Sequence, residues 1–292
     1  MDATNLIVKL QSSHRPEDIF TRRNFKKEYL AYIKLLHPDV CSEPGASDAT
    51  SKLNDLREVM ESRFLLRDDA GEIRVADEKT LLFQGDKTLL NKSLQQYRRL
   101  MAFKDDAARH FQKYLPESME WQGDALCVRS AHAMVPLSGL QLPREHVTWV
   151  TSRMLEWVSW LHQVGYSHNG INPESVCLVP ESHGIVITSF YHQAPLNSKL
   201  STISGTYLPW YAPSVFDQKK AVSGIDLGLL QRTALYLLGD PSGHGVKLKM
   251  TEPAPLIDFL IASHTEAVPT YEQYRTMLRT VFGKPVFHHL NL

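Results

Sequence analysis

A proline set directly after an amphipathic stripe constrains the start of this chain more than any other feature. Phe25, Tyr29, Ile33 and Leu36 recur at spacings of four, four and three, the period of one apolar helix face. Pro38 carries no amide hydrogen and its ring clashes with the turn before it, so the helix must stop there. The stretch from Cys41 to Asp48 is polar and contains Pro44 and Gly45, which reads as a loop. A second apolar face then follows, carried by Leu53, Leu56, Met60 and Phe64. Two amphipathic helices joined by one loop bury their stripes on each other, so residues 1–66 are expected to form a helical domain built on an antiparallel hairpin.

The pattern changes after the turn signal Asp68-Asp69-Ala70-Gly71. Strand-like runs are expected at Glu72–Ala76, Thr80–Phe83, Ser118–Trp121 and Ala125–Ser130, with a helix over Leu89–Phe103. From about residue 146 the chain reads as mostly helical. Val150, Met154, Val158 and Leu161 form one stripe, and Leu227–Leu238 is almost continuously apolar, as in a buried helix. The expected class is α+β. The expected domains are 1–66, then a small mixed lobe over 67–140 and a mainly helical lobe over 141–292.

Around Pro38 lies a chemical signal. His37-Pro38-Asp39 opens the loop, and the helix before it is basic: Arg22, Arg23, Lys26, Lys27 and Lys34 outnumber Glu28. The second helix reads Leu53-Asn54-Asp55-Leu56-Arg57-Glu58-Val59-Met60. On these residues, 15–66 resembles a J-domain, the regulatory module of DnaJ-type co-chaperones. Lys26-Lys27-Glu28-Tyr29 and His37-Pro38-Asp39-Val40 resemble that family's second helix and loop. The resemblance implies docking on a DnaK-type chaperone and stimulation of its ATP hydrolysis through His37, Pro38, Asp39, Arg22, Arg23, Lys26, Lys27 and Lys34. A basic helix face steers encounter with an acidic partner surface. The family's tyrosine and leucine signature for the first helix is not evident in residues 3–20.

A second set of residues follows the order of a protein kinase. His168-Asn-Gly-Ile-Asn-Pro-Glu-Ser175 comes after a helix ending near Leu161, and Ser189-Phe190-Tyr191 lies nineteen positions beyond Gly170. Ala212-Pro213-Ser214 and then Asp226 follow. This order resembles the catalytic loop, the Asp-Phe-Gly site, the Ala-Pro-Glu site and the F-helix aspartate of the kinase C-lobe. A fainter N-lobe extends over 67–145, with a hinge near Met134–Gly139.

The chemistry does not follow the frame. Phosphoryl transfer in a kinase needs an aspartate to orient the substrate hydroxyl, an asparagine and an aspartate on magnesium, and a lysine–glutamate pair at the phosphates. On the resemblance these positions hold Gly170, Ser175 and Ser189, with Asn172 at the usual catalytic-loop lysine. The third strand offers Leu81-Leu82-Phe83 where the lysine belongs, and the helix after it, Asn91 to Gln96, has no glutamate. Lys79 and Lys87 only flank the strand. Serine and glycine do not replace carboxylates on a hard dication. His168, Pro173, Phe190, Ala212, Pro213 and Asp226, which are structural in the family, remain. The pattern implies a pseudokinase that is not an enzyme, with a cleft part-filled by residues such as Phe83 and Tyr191. The whole chain resembles bacterial and phage proteins that join a J-domain to a kinase-like domain.

The expected function is therefore a co-chaperone adaptor, cytoplasmic, whose kinase-like part binds a client or partner protein. A divergent kinase or nucleotidyl transferase, and a scaffold with a vestigial J-domain, are the alternatives. Acidic and basic residues balance at 32 each, which gives no global field toward nucleic acid or membrane. No apolar run approaches the roughly 18 residues of a membrane helix. Cys41, Cys127 and Cys177 lack metal-ligand spacing and are expected as buried hydrophobes, while His288 and His289 lack the geometry of a helical metal pair. No cofactor and no metal is expected.

Overall fold

The computed structural model describes residues 2–21, 24–37, 40–62, 65–284 and 286–290. The chain divides between Leu66 and Arg67 into two compact units.

The first unit contains α1 (Ala3–Ser12), α2 (Phe25–Leu36) and α3 (Ala46–Ser62), with a short 3-10 turn at Pro16–Asp18. Asp2 caps α1 by accepting from the Asn5 amide at 2.8 Å. The hairpin of α2 and α3 forms, but it does not close the core alone. Leu6, Ile7 and Leu10 of α1, with Ile19 and Phe20, are buried beside Phe25, Leu36, Leu53, Leu56 and Met60. Tyr29 and Ile33 are only half-buried, so the α2 stripe narrows in its middle. The Tyr29 hydroxyl donates to Asn54 Oδ1 at 3.0 Å and accepts from Arg57 at 3.2 Å, which sets the register of α2 on α3. Phe64 lies outside the described residues.

The second unit is mixed α+β. Its sheet runs in the order β1-β2-β3-β5-β4, formed by β1 (Leu65–Arg67), which begins before the boundary between Leu66 and Arg67, β2 (Gly71–Asp77), β3 (Thr80–Gly85), β4 (Ser118–Gln122) and β5 (Ala125–Arg129). The β2–β3, β3–β5 and β4–β5 pairs are antiparallel. Between β3 and β4 come α4 (Lys87–Met101) and α5 (Asp106–Phe111). Helix α4 starts two residues before the expected Leu89, because the Asp86 carboxylate accepts from the Thr88 and Leu89 amides. The helical part begins after β6 (Val135–Pro136), and α6 (Arg144–Gln163) buries Trp157 and Trp160 completely.

Short strands β7 (Tyr166–Ser167), β8 (Val176–Val179), β9 (Gly184–Ile187) and β10 (Ala194–Pro195) come next. β8 pairs with β6 and β9, and β10 with β7. The chain ends with α7 (Pro213–Gln218), α8 (Ser223–Leu237), α9 (Ala254–Ile261) and α10 (Ala267–Phe282). The expected apolar helix is α8, which buries Leu227, Leu230, Ala234 and Leu237. All three cysteines are free and buried.

The turn between β1 and β2 fixes two carboxylates. Asp68 Oδ1 accepts from the amides of Ala70 and Gly71, and the Ala70 carbonyl accepts from the Asp86 amide at 2.7 Å. Gly71 and Gly85 face each other at φ of +141° and +147°, and a Cβ at Gly85 would overlap the Ala70 oxygen. Only glycine permits this approach, and it holds Asp68 and Asp69 at a fixed place on the unit.

Candidate functional site

In the first unit, Lys26, Lys27, Leu30, Lys34 and His37 fall within about 100° of arc around the axis of α2, and all are exposed. The one acid on this helix does not neutralise them locally. Glu28 is occupied by Thr21, whose amide and hydroxyl donate to it at 2.6 and 2.8 Å. His37 caps α2, and its carbonyl accepts from the amides of Val40 and Cys41. Val40 is 74% exposed and Leu30 is 56% exposed, so apolar surface accompanies the charge. The expected residues Arg22, Arg23, Pro38 and Asp39 lie outside the described residues.

In the second unit, His168, Gly170, Asn172, Ser175, Ser189, Phe190, Tyr191 and Asp226 come together as one buried cluster. Asp226, with no exposed surface, organises it. Its carboxylate accepts from the His168 amide at 2.8 Å, the Asn169 amide at 2.6 Å, the Ser167 hydroxyl at 3.1 Å and the His162 ring at 2.8 Å. Burial pushes this carboxyl up, but the hydrogen bond and charge of His162 and the other donors outweigh it and hold the group below its usual range. Asn169 is thereby held at a φ of +59°.

The His168 ring reaches the Ser189 carbonyl at 2.7 Å, and the Phe190 ring packs 5.9 Å from His168 and 6.4 Å from Tyr97. The Phe190 amide donates to Ser93 Oγ on α4. Asn172 Oδ1 accepts from the amides of Glu174 and Ser175, so its side chain closes its own loop. These residues act on one another; none presents a free carboxylate.

The space beside Gly170 is occupied by another residue. A Cβ at Gly170 would lie 2.5 Å from Cδ2 of His192. The His192 ring is buried, faces Thr202 Oγ1 at 3.0 Å through Nδ1, and meets Asp69 Oδ2 at 3.0 Å through Nε2. Asp69 Oδ1 accepts from the amides of Gly205 and Thr206 at 2.9 and 3.1 Å. Burial would raise the Asp69 carboxyl, but His192 and the other donors pull it down to about 2. Beside it, the Tyr191 hydroxyl donates to Asp68 Oδ2 at 2.8 Å. Burial pushes Asp68 up to about 6 against the opposing hydrogen bonds of Tyr191, Ala70 and Gly71. The β1–β2 turn is thus tied to residues 191–206. It is His192 that fills the space at Gly170; Phe83 is buried within the sheet, in register with Ile73 and Leu126.

Asp69 and His192 are positions in this cluster that reading the sequence missed, since Asp68-Asp69 appears there only as a turn. Tyr207 was missed too. The Tyr207 hydroxyl donates to Glu174 at 2.6 Å and the Ser138 hydroxyl at 2.8 Å, and burial raises that carboxyl. Leu82 is half-buried between Leu81 and Phe83 on β3. Lys79 is exposed and donates to the Ala131 carbonyl, and Lys87 is exposed at the start of α4. Among the described residues, no three His, Cys, Asp or Glu side chains are grouped to hold a metal ion, and no helix is long and apolar enough to cross a membrane.

No family model matches the chain, and no curated protein matches it. Among solved structures it is similar to vaccinia related kinase 3. That match has 15% identity over 76% of this chain and 92% of the other, with a TM-score of 0.49.

The contacts at Gly170 and Asp68 set two measurable outcomes. Gly170→Ala should cost about 1–3 kcal/mol in urea unfolding, as overpacking does. In a His192→Ala background the same change should cost much less, so a double-mutant cycle should show coupling. Equal costs in both backgrounds would remove His192 from that space. Asp68→Asn tests the raised carboxyl. The folded pKa of about 6 exceeds the unfolded value of about 3.9, so the folded state keeps a proton that the unfolded state has lost. Wild-type stability should therefore fall as pH rises from about 4 to 6. Asp68→Asn should be the more stable form at pH 7, with the difference vanishing below pH 4, as read by melting temperature against pH.

Proposed function

We propose that this protein is a non-enzymatic co-chaperone adaptor. Its first unit engages a DnaK-type chaperone, and its second unit, kinase-like but without transfer chemistry, binds a client or partner protein. The carrying observation is the exposed arc of Lys26, Lys27, Leu30 and Lys34 that ends at His37, the first residue of the His37-Pro38-Asp39 loop. A cationic helix face steers encounter with an acidic partner surface. The engagement of Glu28 by Thr21 supports the reading, because it leaves the lysines as the dominant charge on that face.

The absence of enzymatic activity is supported by three substitutions and one occupancy. Gly170, Ser175 and Ser189 stand where the resemblance calls for an aspartate, an asparagine and a second aspartate. His192 fills the volume beside Gly170, so restoring an aspartate there requires moving a buried ring held by Asp69. Magnesium takes oxygen ligands in near-octahedral geometry, usually with one or two carboxylates plus phosphate, and no such pair is aimed into this cluster.

The chaperone half is tested by ATPase measurements on a purified DnaK-type chaperone. The full chain should stimulate hydrolysis, and His37→Gln should abolish the stimulation while the melting temperature stays unchanged, since His37 is exposed. Stimulation that survives His37→Gln would refute the docking mode. The non-enzymatic half is tested by thermal shift with millimolar Mg-ATP. A ligand at 100 times its dissociation constant adds about 2.7 kcal/mol. No magnesium-dependent rise is expected, and a clear rise would restore the transferase alternative.

A further inference from the structure

The helix that buries Asp226 opens on its other side onto a cavity of about 420 Å³. Gly224, Gly228 and Arg232, spaced by four, line its floor along α8. Trp210, Tyr211 and Val215 form one wall, and residues 260–265 form the other. The volume lies in the range of pockets that bury a small ligand or an anchoring side chain.

The walls are built in place. Gln231 Nε2 donates to the carbonyls of Phe259 and Ala262 at 2.7 and 3.0 Å, which ties the end of α9 to α8. The end wall at Gly243 and His244 is fixed by Asp240, which accepts from the Ser242 amide and hydroxyl and, at 2.6 Å, from the Gly245 amide. Gly243, at a φ of +69°, lies so close to Trp210 that a Cβ would come within 3.1 Å of the indole. By contrast, a Cβ at Gly228 would find no atom within 4 Å, so the space above the helix there is open.

The chemistry of the cavity is uneven. Val215, Val222, Ile225, Leu229 and Leu260 make most of it apolar. Arg232 stands at the His244 end, half-buried. One guanidinium nitrogen donates to the Gly243 carbonyl at 3.1 Å and meets His244 Nδ1 at 2.9 Å. Among the described residues no carboxylate pairs with Arg232, so a partly desolvated cation with donors to spare borders an apolar space. Ile261, which lines the cavity, is 42% exposed. A carboxylate complements such a cation, and an apolar side chain complements the space beside it.

We propose that this cavity binds a protein segment carrying an apolar side chain next to a carboxylate. The apolar group fills the space above Gly228, and the carboxylate pairs with Arg232. The carboxylate is the side chain of an aspartate or glutamate, and a chain terminus in its place is an outcome that overturns the assignment. The proposal rests on the adaptor reading and names the site and chemistry by which the second unit takes its partner.

The test uses the full chain and fluorescein-labelled hexapeptide amides of sequence Gly-Ser-X-Glu-Gly-Ser, with X as Leu, Ile, Met or Phe. Controls replace Glu with Gln or X with Ala, and a shorter free acid ends at X. Anisotropy should show saturable binding of at least one panel member, weakened about tenfold by the Gln control, the size expected for a charge-assisted pair. Binding of the free acid overturns the assignment to a side chain, and its failure beside a binding Glu peptide supports it. Arg232→Gln should erase the difference between Glu and Gln peptides. Gly228→Leu, which fills the open space, should abolish binding of all of them, and circular dichroism checks that it folds. Absence of binding by every panel peptide, or binding indifferent to Arg232→Gln, overturns the proposal. Chaperone stimulation measured in parallel separates the failures. Intact stimulation without peptide binding removes only this site, and peptide binding without stimulation removes only the chaperone arm.

Discussion

Asp226 has no exposed surface, yet its two oxygens receive two backbone amides, a hydroxyl and an imidazole. Taking a carboxylate out of water is costly unless donors replace the lost hydration, and removal of one partner leaves the charge stranded. The aspartate and the loop it holds are therefore mutually required. That loop, from Ser167 to Asn169, holds the His168 ring against the Ser189 carbonyl and Phe190. The Asn169 carbonyl receives the Tyr211 hydroxyl at 2.7 Å, whose oxygen accepts from the Ser204 amide in turn. One anchored carboxylate thus fixes the segments from 167 to 211 on which the cluster is built.

Asp226 was legible in the sequence because its role is tied to an order of motifs: a loop, an apolar run, an aromatic site and an apolar helix. The hairpin of α2 and α3 was legible for a similar reason, since helical periodicity and a proline are local signals. The part played by α1 was not, because Leu6 and Leu10 gain meaning only when α3 lies beside them. Asp69 and His192 were invisible for the same physical reason. They are 123 positions apart, and a turn aspartate looks alike whether it caps its own turn, as Asp68 does, or reaches a histidine. The glycines that bring the turn into place, Gly71 and Gly85, give no sequence sign that they face each other.

The packing around Gly170 is specific. An aspartate at position 170 and the present orientation of His192 cannot coexist, since the histidine ring stands where the side chain would begin. The ring is held there by Asp69 and Thr202, and Asp69 also binds the backbone of residues 205–206. A set of internal hydrogen bonds therefore occupies the space beside Gly170. Lys92 of α4 adds to it by donating to Ser201 and Thr202 at 2.7 and 3.2 Å. Buried polar networks that are satisfied in this way favour a single conformation.

The same helix connects this internal order to the outer cavity. α8 presents Asp226 inward and Gly228 and Arg232 outward, so the interactions that immobilise one face immobilise the other. A partner meeting a floor already fixed by Asp226, and walls fixed by Gln231 and Asp240, has little ordering left to impose on the protein. That ordering is a principal cost of association, and a rigid site reduces it. On this argument the buried frame holds α8 and the loops around it in the arrangement that sets Arg232 beside the apolar residues of the cavity.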